Sequence, residues 1–475
     1  MPAMVATLFV LLVYAAQLGV VVRVLLRPQL GPVARLAWVL MVAAIPLVGM
    51  IVYLLFGEVR LRRAKAQKMA DVRKVLFDML TEHPGVGPVR QSHPAFAAGR
   101  ATSGFRPLPG NRALILDEHL AMEDVIDAID EARDHVHVLF YIWLPDGTGT
   151  RFAMALMAAA RRGVTCRVLV DDLGSRALIG SALWADMAAA GVRLARAFPV
   201  GNPLVAAVLS RIDLRNHRKI VVVDNAVTWI GSRNCADPAF RPKQAFGPWV
   251  DVQLRVEGPV VRQHQAVFLQ DWMMYADEDV GALLDVVPPL PGARQVAQVI
   301  ASGPDQSQAC LSTSMAAMMY GAQRRLTITT PYYVPNVSLH TAICAAALRG
   351  VDTTLIVPAR NDSLFVAAAA ESLFGELADC GVRLMAYEQG LIHAKIMTVD
   401  GRLAMVGSAN LDQRSFDLNY ENNILFDAPD LTAALDERQA LYMSRSRLLT
   451  PSDIAGWSWL RRIRNNLFAL AGPLL

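Results

Sequence analysis

Two long runs without a charged side chain open the chain, at residues 1–22 and 36–57. Wound as helices rising about 1.5 Å per residue, each is long enough for a hydrocarbon core of about 30 Å. A secretory leader fits the first run poorly. No basic stretch precedes it, Arg23 and Arg27 follow it, and a second apolar run comes at once. The pattern predicts a membrane hairpin over 1–58, with transmembrane helices at about 3–22 and 36–57. Pro46 and Gly49 inside the second run leave a re-entrant hairpin as the competing arrangement. A basic segment and linker, broken by prolines and glycines, follow at 59–112.

Beyond the linker, helical patterns that end on glycine alternate with short apolar runs suited to strands. Arg161-Arg162-Gly163-Val164 precedes the apolar run 166–170, and Leu348-Arg349-Gly350-Val351 precedes the run 353–357. A Gly-Val-Arg-Leu string then starts at Gly191 and again at Gly381, which is 28 residues after Gly163 and 31 after Gly350. The repetition predicts two pseudo-symmetric α/β lobes, 113–286 and 293–475, separated by the Pro-rich stretch 287–292. The end of the second lobe mixes Trp457, Trp459, Leu460, Ile463, Leu467 and Phe468 with Arg461, Arg462 and Arg464. That mixture reads as an amphipathic tail lying in a membrane interface, or as a helix packed on the body.

Charge narrows the picture. The net charge of +4 is mild for a nucleic-acid enzyme. Basic residues gather after the second apolar run: Arg60, Arg62, Arg63, Lys65, Lys68, Arg73 and Lys74 stand against Asp71. This asymmetry places the large C-terminal part in the cytoplasm and favours anionic lipid as a neighbour. The five cysteines (Cys166, Cys235, Cys310, Cys344 and Cys380) form no CxxC pair, which suits a reducing compartment and argues against structural zinc. No nucleotide-binding loop and no HExxH string occurs, so no cofactor and no metal is implied.

Chemistry enters with a string that occurs twice, His-x-Lys-x4-Asp-x6-Gly-Ser-x-Asn. The first copy is His217, Lys219, Asp224, Gly231, Ser232 and Asn234; the second is His393, Lys395, Asp400, Gly407, Ser408 and Asn410. Each copy reads as a hairpin with Asp at the turn, followed by a return of the Ser and Asn to the end where His and Lys sit. Two imidazoles suit phosphodiester exchange, one attacking as the neutral base while the other protonates the departing alkoxide. Lys219 and Lys395 can hold the non-bridging oxygens, with Ser232, Asn234, Ser408 and Asn410 as further donors.

The chain resembles the phospholipase D superfamily and, within it, bacterial cardiolipin synthases of the transphosphatidylation type. The likeness covers nearly the whole chain. It rests on the two motifs, the 53–58 string Tyr-Leu-Leu-Phe-Gly-Glu, the run from Arg211 to Lys219, and Thr330-Pro331-Tyr332-Tyr333-Val334-Pro335. Asp412-x-Arg414-Ser415-x4-Asn419-x-Glu421 and the terminal Pro473-Leu474-Leu475 complete it. Asn336 stands where the family usually has Asp, and motif one offers Trp249-x-Asp251 where motif two has Asn419-x-Glu421. The resemblance implies two phospholipase D-like lobes with the active site between them. It implies that the acid downstream of each motif, Asp251 or Glu421, supports that motif's histidine, and that Asp224 and Asp400 are partly scaffold. The implied reaction joins two phosphatidylglycerols and releases glycerol through a phosphohistidine intermediate. His217 is the implied nucleophile and His393 the implied acid. The implied setting is the inner membrane, multi-pass, with phosphatidylglycerol and anionic lipids as partners and no nucleic acid. The alternatives are a phospholipase D-type hydrolase or another phosphatidyltransferase on the same scaffold, and a non-catalytic membrane scaffold.

Overall fold

A computed structural model describes residues 2–27, 30–58, 63–80, 86, 87, 89, 93–200, 213–305 and 310–470. Arg60, Arg62, Arg211, the terminal Pro473-Leu474-Leu475 and parts of the expected linker lie outside these residues, as do the side chains of Arg63 and Lys65. The described residues fall into two compact units, the N-terminal helices and the α/β body that begins at Ala66.

In the N-terminal unit, α1 (Pro2–Leu25) is one unbroken apolar helix. The second apolar run is not. It forms α2 (Pro32–Ala44) and α3 (Pro46–Phe56), with a break at Ile45, φ −132° and ψ 77°. Pro46 has no N–H to continue the helix and disfavours helical backbone at the residue before it. At 13 and 11 residues, α2 and α3 reach about 20 and 17 Å, short of a bilayer core. Of the expected pair of transmembrane helices, one is found: among the described residues only one helix, Met4–Leu25, is long and apolar enough to cross. α3 folds back on α2. Gly49 lies so close to the backbone of Met41 and Val42 that a Cβ there would collide, and Trp38 meets Tyr53 edge-on at 5.3 Å. Glu58, just past α3, accepts from Arg23 Nε at 2.6 Å and Nη2 at 2.8 Å, from Tyr53 Oη at 2.8 Å, and from Arg27. The end of α1 and the end of α3 thus meet.

The body is built on one mixed sheet whose two halves repeat each other. From the centre outward the first half runs Leu108–Ile115, Gln253–Glu257, Val227–Gly231, Ile220–Val223, His135–Phe140, Thr165–Asp171, Arg193–Ala197. The second half runs Gln295–Ser302, Asn419–Asp427, Leu403–Gly407, Ile396–Val399, Arg325–Thr329, Asp352–Pro358, Arg383–Tyr387, with Ser446–Leu449 added at the edge. The central strands Leu108–Ile115 and Gln295–Ser302 pair antiparallel, so the lobes share a continuous sheet. The strand Leu108–Ile115 begins inside the expected linker, and the helices Arg63–Met79 and Pro94–Ser103 occupy much of the rest of it. The first lobe therefore starts earlier than residue 113. Each half has its own apolar core beneath the sheet, around Val138, Phe152 and Trp229 in one and Ile328, Met397 and Met405 in the other.

Both motif hairpins form as expected. Val221 pairs with Trp229 across the first, and Met397 with Met405 across the second. Asp224 and Asn225 have φ of 52° and 51°, and Asp400 and Gly401 have φ of 55° and 68°. Positive φ at both central residues is the turn whose twist matches the strands it joins.

Candidate active site

Two short parallel ladders bring the motifs together. Residues Arg215–Asn216 pair with Asn419–Tyr420, and Leu391–Ile392 pair with Trp249–Val250. The next residue in each register is functional: His217 comes abreast of Glu421, and His393 abreast of Asp251. The backbone continues the link, His217 N to Tyr420 O at 2.9 Å and His393 N to Val250 O at 2.7 Å.

The consequence is a crossed pairing. His217 Nδ1 lies 2.9 Å from both Glu421 oxygens, and His393 Nδ1 lies 2.6 Å from Asp251 Oδ1. The expectation that each acid serves its own motif's histidine is corrected. Each acid serves the histidine of the other half and is tied to its own motif by the serine. Ser232 Oγ donates to Asp251 Oδ1 at 2.6 Å, and Ser408 Oγ donates to Glu421. Ser232 and Ser408 are therefore spent on the carboxylates and are not free to hold a phosphate, as the motif alone suggested.

The acids leave each ring's Nε2 for chemistry, because a carboxylate at Nδ1 makes that nitrogen the N–H. Burial pushes the His217 imidazole down to about 4 against the pull of Glu421, with Lys219 adding to the depression. Burial, then Lys395, pushes His393 down to about 4 against Asp251. Each ring also feels the other half's lysine, Lys395 at His217 and Lys219 at His393, so the two half-sites share one electrostatic field. Burial lowers Lys219 to about 8 and Lys395 to about 7. For the acids burial works the other way, but the histidine, lysine and serine partners of each together outweigh it: Glu421 is held down to about 2 and Asp251 well below the usual carboxylate range. The site is dense in cationic groups competing for few negative charges, which is what an anionic diester would relieve.

Both lysines fold back on the chain, Lys219 Nζ donating to His217 O and Lys395 Nζ to His393 O, each at 2.7 Å. Two further donors remain on each ammonium. Asn234 Oδ1 accepts from Ile142 N at 3.3 Å. Asn410 Nδ2 donates to Asp412 Oδ2 at 3.3 Å, and its other amide atom is buried without a partner.

Asp224 and Asp400 stand at the opposite ends of their strands, about five residues and so about 16 Å of strand from the lysines. Asp224 accepts the N–H groups of Arg133, Asp134 and His135 at 2.8–2.9 Å. Asp400 does the same for Gln323, Arg324 and Arg325 at 2.7–2.9 Å. They tie a helix-to-strand connection to the hairpin turn, the scaffold part that the resemblance implies. Asp412, part of the extended second motif, is raised to about 6 by burial and caps the helix Gln413–Asp417 through Ser415 N at 2.7 Å.

Three groups beside the site were given no role from the sequence. Tyr141 packs edge-on to His217 at 4.8 Å, and Trp249 lies 4.5 Å from His393. Asn422 accepts from Lys219 N at 3.1 Å, returns Nδ2 to Lys219 O at 3.3 Å, and reaches His264 Nε2 at 2.8 Å. Trp249 and Asn422 flank the acids in sequence, a signal that motif spacing does not weigh.

Comparison with known proteins agrees with this geometry. A family model described as cardiolipin synthase, PLD-like domain, matches residues 125–272 and 315–440, one stretch in each half. A second, phospholipase D-nuclease N-terminal, matches residues 15–58. The chain is 35% identical over 476 residues to cardiolipin synthase A of Edwardsiella ictaluri, covering 96% of each. It is 36% identical over 478 residues to cardiolipin synthase A of Yersinia pseudotuberculosis, again covering 96% of each. The crystal structure of phosphatidylserine synthase from Haemophilus influenzae superposes with a TM-score of 0.61 at 14% identity, over 80% of this chain and all of that one, which shows a shared fold. The chain belongs to the bacterial cardiolipin synthases, phosphatidyltransferases of the phospholipase D superfamily.

Proposed function

We propose that the crossed site transfers a phosphatidyl group from one phosphatidylglycerol to another. The observation that carries this reading is the pair of histidines, each fixed at Nδ1 by a carboxylate of the opposite half. His217 Nε2 attacks phosphorus, and the bond from phosphorus to the glycerol oxygen breaks. His393 gives its Nε2 proton to that oxygen, and glycerol leaves. The hydroxyl of a second phosphatidylglycerol then gives its proton to His393 and attacks phosphorus. The P–N bond breaks, and cardiolipin is released with His217 neutral again. Lys219, Lys395 and the amides of Asn234 and Asn410 hold the non-bridging oxygens. The two half-sites are too alike for symmetry to choose the nucleophile; the family resemblance assigns it to His217. Full-length protein given phosphatidylglycerol, without CTP or added metal, should yield cardiolipin and glycerol in equal amounts. Phosphatidic acid as the main product would make water the acceptor and the protein a hydrolase.

The N-terminal unit supports a membrane arrangement with α1 crossing once and α2–α3 entering and leaving on the cytoplasmic side. The ion pairs of Glu58 with Arg23 and Arg27 favour it. A spanning hairpin would hold these residues about 30 Å apart across the bilayer. It also puts Arg23, Arg27, Arg35 and the basic residues after Glu58 on one side, as the positive-inside bias requires. A cysteine at Ala3 should react with an impermeant reagent outside intact cells, while cysteines at Gly31 and Ala70 should not. Labelling at Gly31 from outside would restore the spanning hairpin.

A further inference from the structure

The helix Trp459–Ala469 is mounted with its polar side inward. Arg461 donates to Glu371 through Nε at 2.9 Å and Nη2 at 2.8 Å, and Asn465 Nδ2 donates to the same carboxylate at 2.9 Å. Asn465 is buried, and Arg461 lies 4.0 Å from the face of Trp457. The outward stripe is apolar: Trp459, Leu460, Ile463, Leu467 and Leu470 are 57–79% exposed. A helix that only packs on a body shows the reverse arrangement. The stripe continues onto the neighbouring helix Leu364–Asp379 through Phe365, whose ring lies 4.6 Å from that of Phe468, and through exposed Leu364.

The place of this face matters. Ser363 caps the helix Leu364–Asp379. The preceding Asp362 accepts from Tyr332 Oη at 2.7 Å and pairs with Lys243 of the first half. Tyr332 follows the strand Arg325–Thr329, whose Thr329 pairs with Ile396, the residue after Lys395. The apolar face therefore begins at the catalytic end of the sheet. Arg461 and Arg464 share the one carboxylate of Glu371, which leaves a positive excess under the stripe.

We propose that this face docks the body onto an anionic lipid bilayer and sets the mouth of the site against the leaflet that supplies the substrate. The inference deepens the lipid-transfer reading and rests on it. Exposed apolar side chains on a rigid helix, over a cationic base, are the chemistry of interfacial insertion.

The test uses full-length protein in phosphatidylglycerol vesicles. Phosphatidylglycerol brominated in its acyl chains should quench the emission that Trp459→Phe removes; no quenching of that component would overturn the proposal. The triple variant Leu460→Glu, Ile463→Glu, Leu467→Glu should lose about tenfold or more of its turnover on vesicles. Its turnover of a short-chain phosphatidylglycerol dissolved below its micelle concentration should stay unchanged. Unchanged vesicle turnover, or an equal loss on both substrates, would also overturn it. So would a variant that turns a detergent-solubilised dimer into a monomer while keeping vesicle turnover, which would make the face a contact between two copies. If the wild type turns over neither substrate, the transfer reading fails, and the quenching still decides the docking.

Discussion

His217 and His393 carry the account, and their carboxylates give the sharpest residue-level predictions. Replacing either histidine with Ala should abolish turnover of phosphatidylglycerol. Glu421→Gln and Asp251→Asn should lower kcat by about 10²–10⁴-fold, the worth of a positioned acid or base, and should hurt less than loss of a ring. The crossing separates these two variants. In formation of the adduct from a donor whose leaving group needs no proton, Asp251→Asn should be nearly silent, because Asp251 holds the acid His393. Glu421→Gln should still be slow, because Glu421 holds the nucleophile His217. The reverse pattern would mean that His393 is the nucleophile or that each acid serves its own half. Proton linkage gives a second prediction. In the free site burial and Lys395 hold His393 at about 4, so it is neutral at pH 7. A bound phosphodiester anion favours the protonated ring and raises that value, so binding takes up a proton and affinity falls as pH rises. Calorimetry of a non-reactive diester in two buffers of different ionisation heat should show this uptake; none would contradict it.

At the scale of elements, the hairpins were legible because an Asp-Asn or Asp-Gly pair between β-branched runs has one economical turn, and the strands follow from it. The register of Arg215–Asn216 on Asn419–Tyr420 was not legible, since it joins residues some two hundred positions apart through two-residue ladders. That register decides which acid serves which histidine, and it crosses the pairing that the resemblance implied. The turn aspartates show the opposite case, where a repeated motif residue is structural. Asp224→Ala and Asp400→Ala should each cost about 2 kcal/mol by freeing three backbone N–H groups. Each should keep near-normal kcat at temperatures where it stays folded. Loss of turnover with unchanged thermal stability would return these aspartates to the chemistry. The tail helix Trp459–Ala469 was legible as amphipathic, but only the Glu371 contacts show which face the body takes.

For the whole molecule, the duplicated motif announced two halves, and the sheet shows how they become one enzyme. The central pairing of Leu108–Ile115 with Gln295–Ser302 makes the sheet continuous, and the two crossed ladders exchange one acid each way. Neither half holds a complete acid–histidine pair, so the chemistry belongs to the pair of halves. The first apolar run was legible as a helix long enough to cross a membrane. The break at Ile45 is local backbone chemistry at Pro46 that a count of apolar residues does not see. The most direct test of the central claim is mass spectrometry of the His393→Ala protein mixed with a phosphatidyl donor whose leaving group needs no acid. The account predicts a phosphatidyl adduct on His217, and no adduct in the His217→Ala protein. No adduct at all, or an adduct on a residue other than a motif histidine, would contradict the two-histidine mechanism.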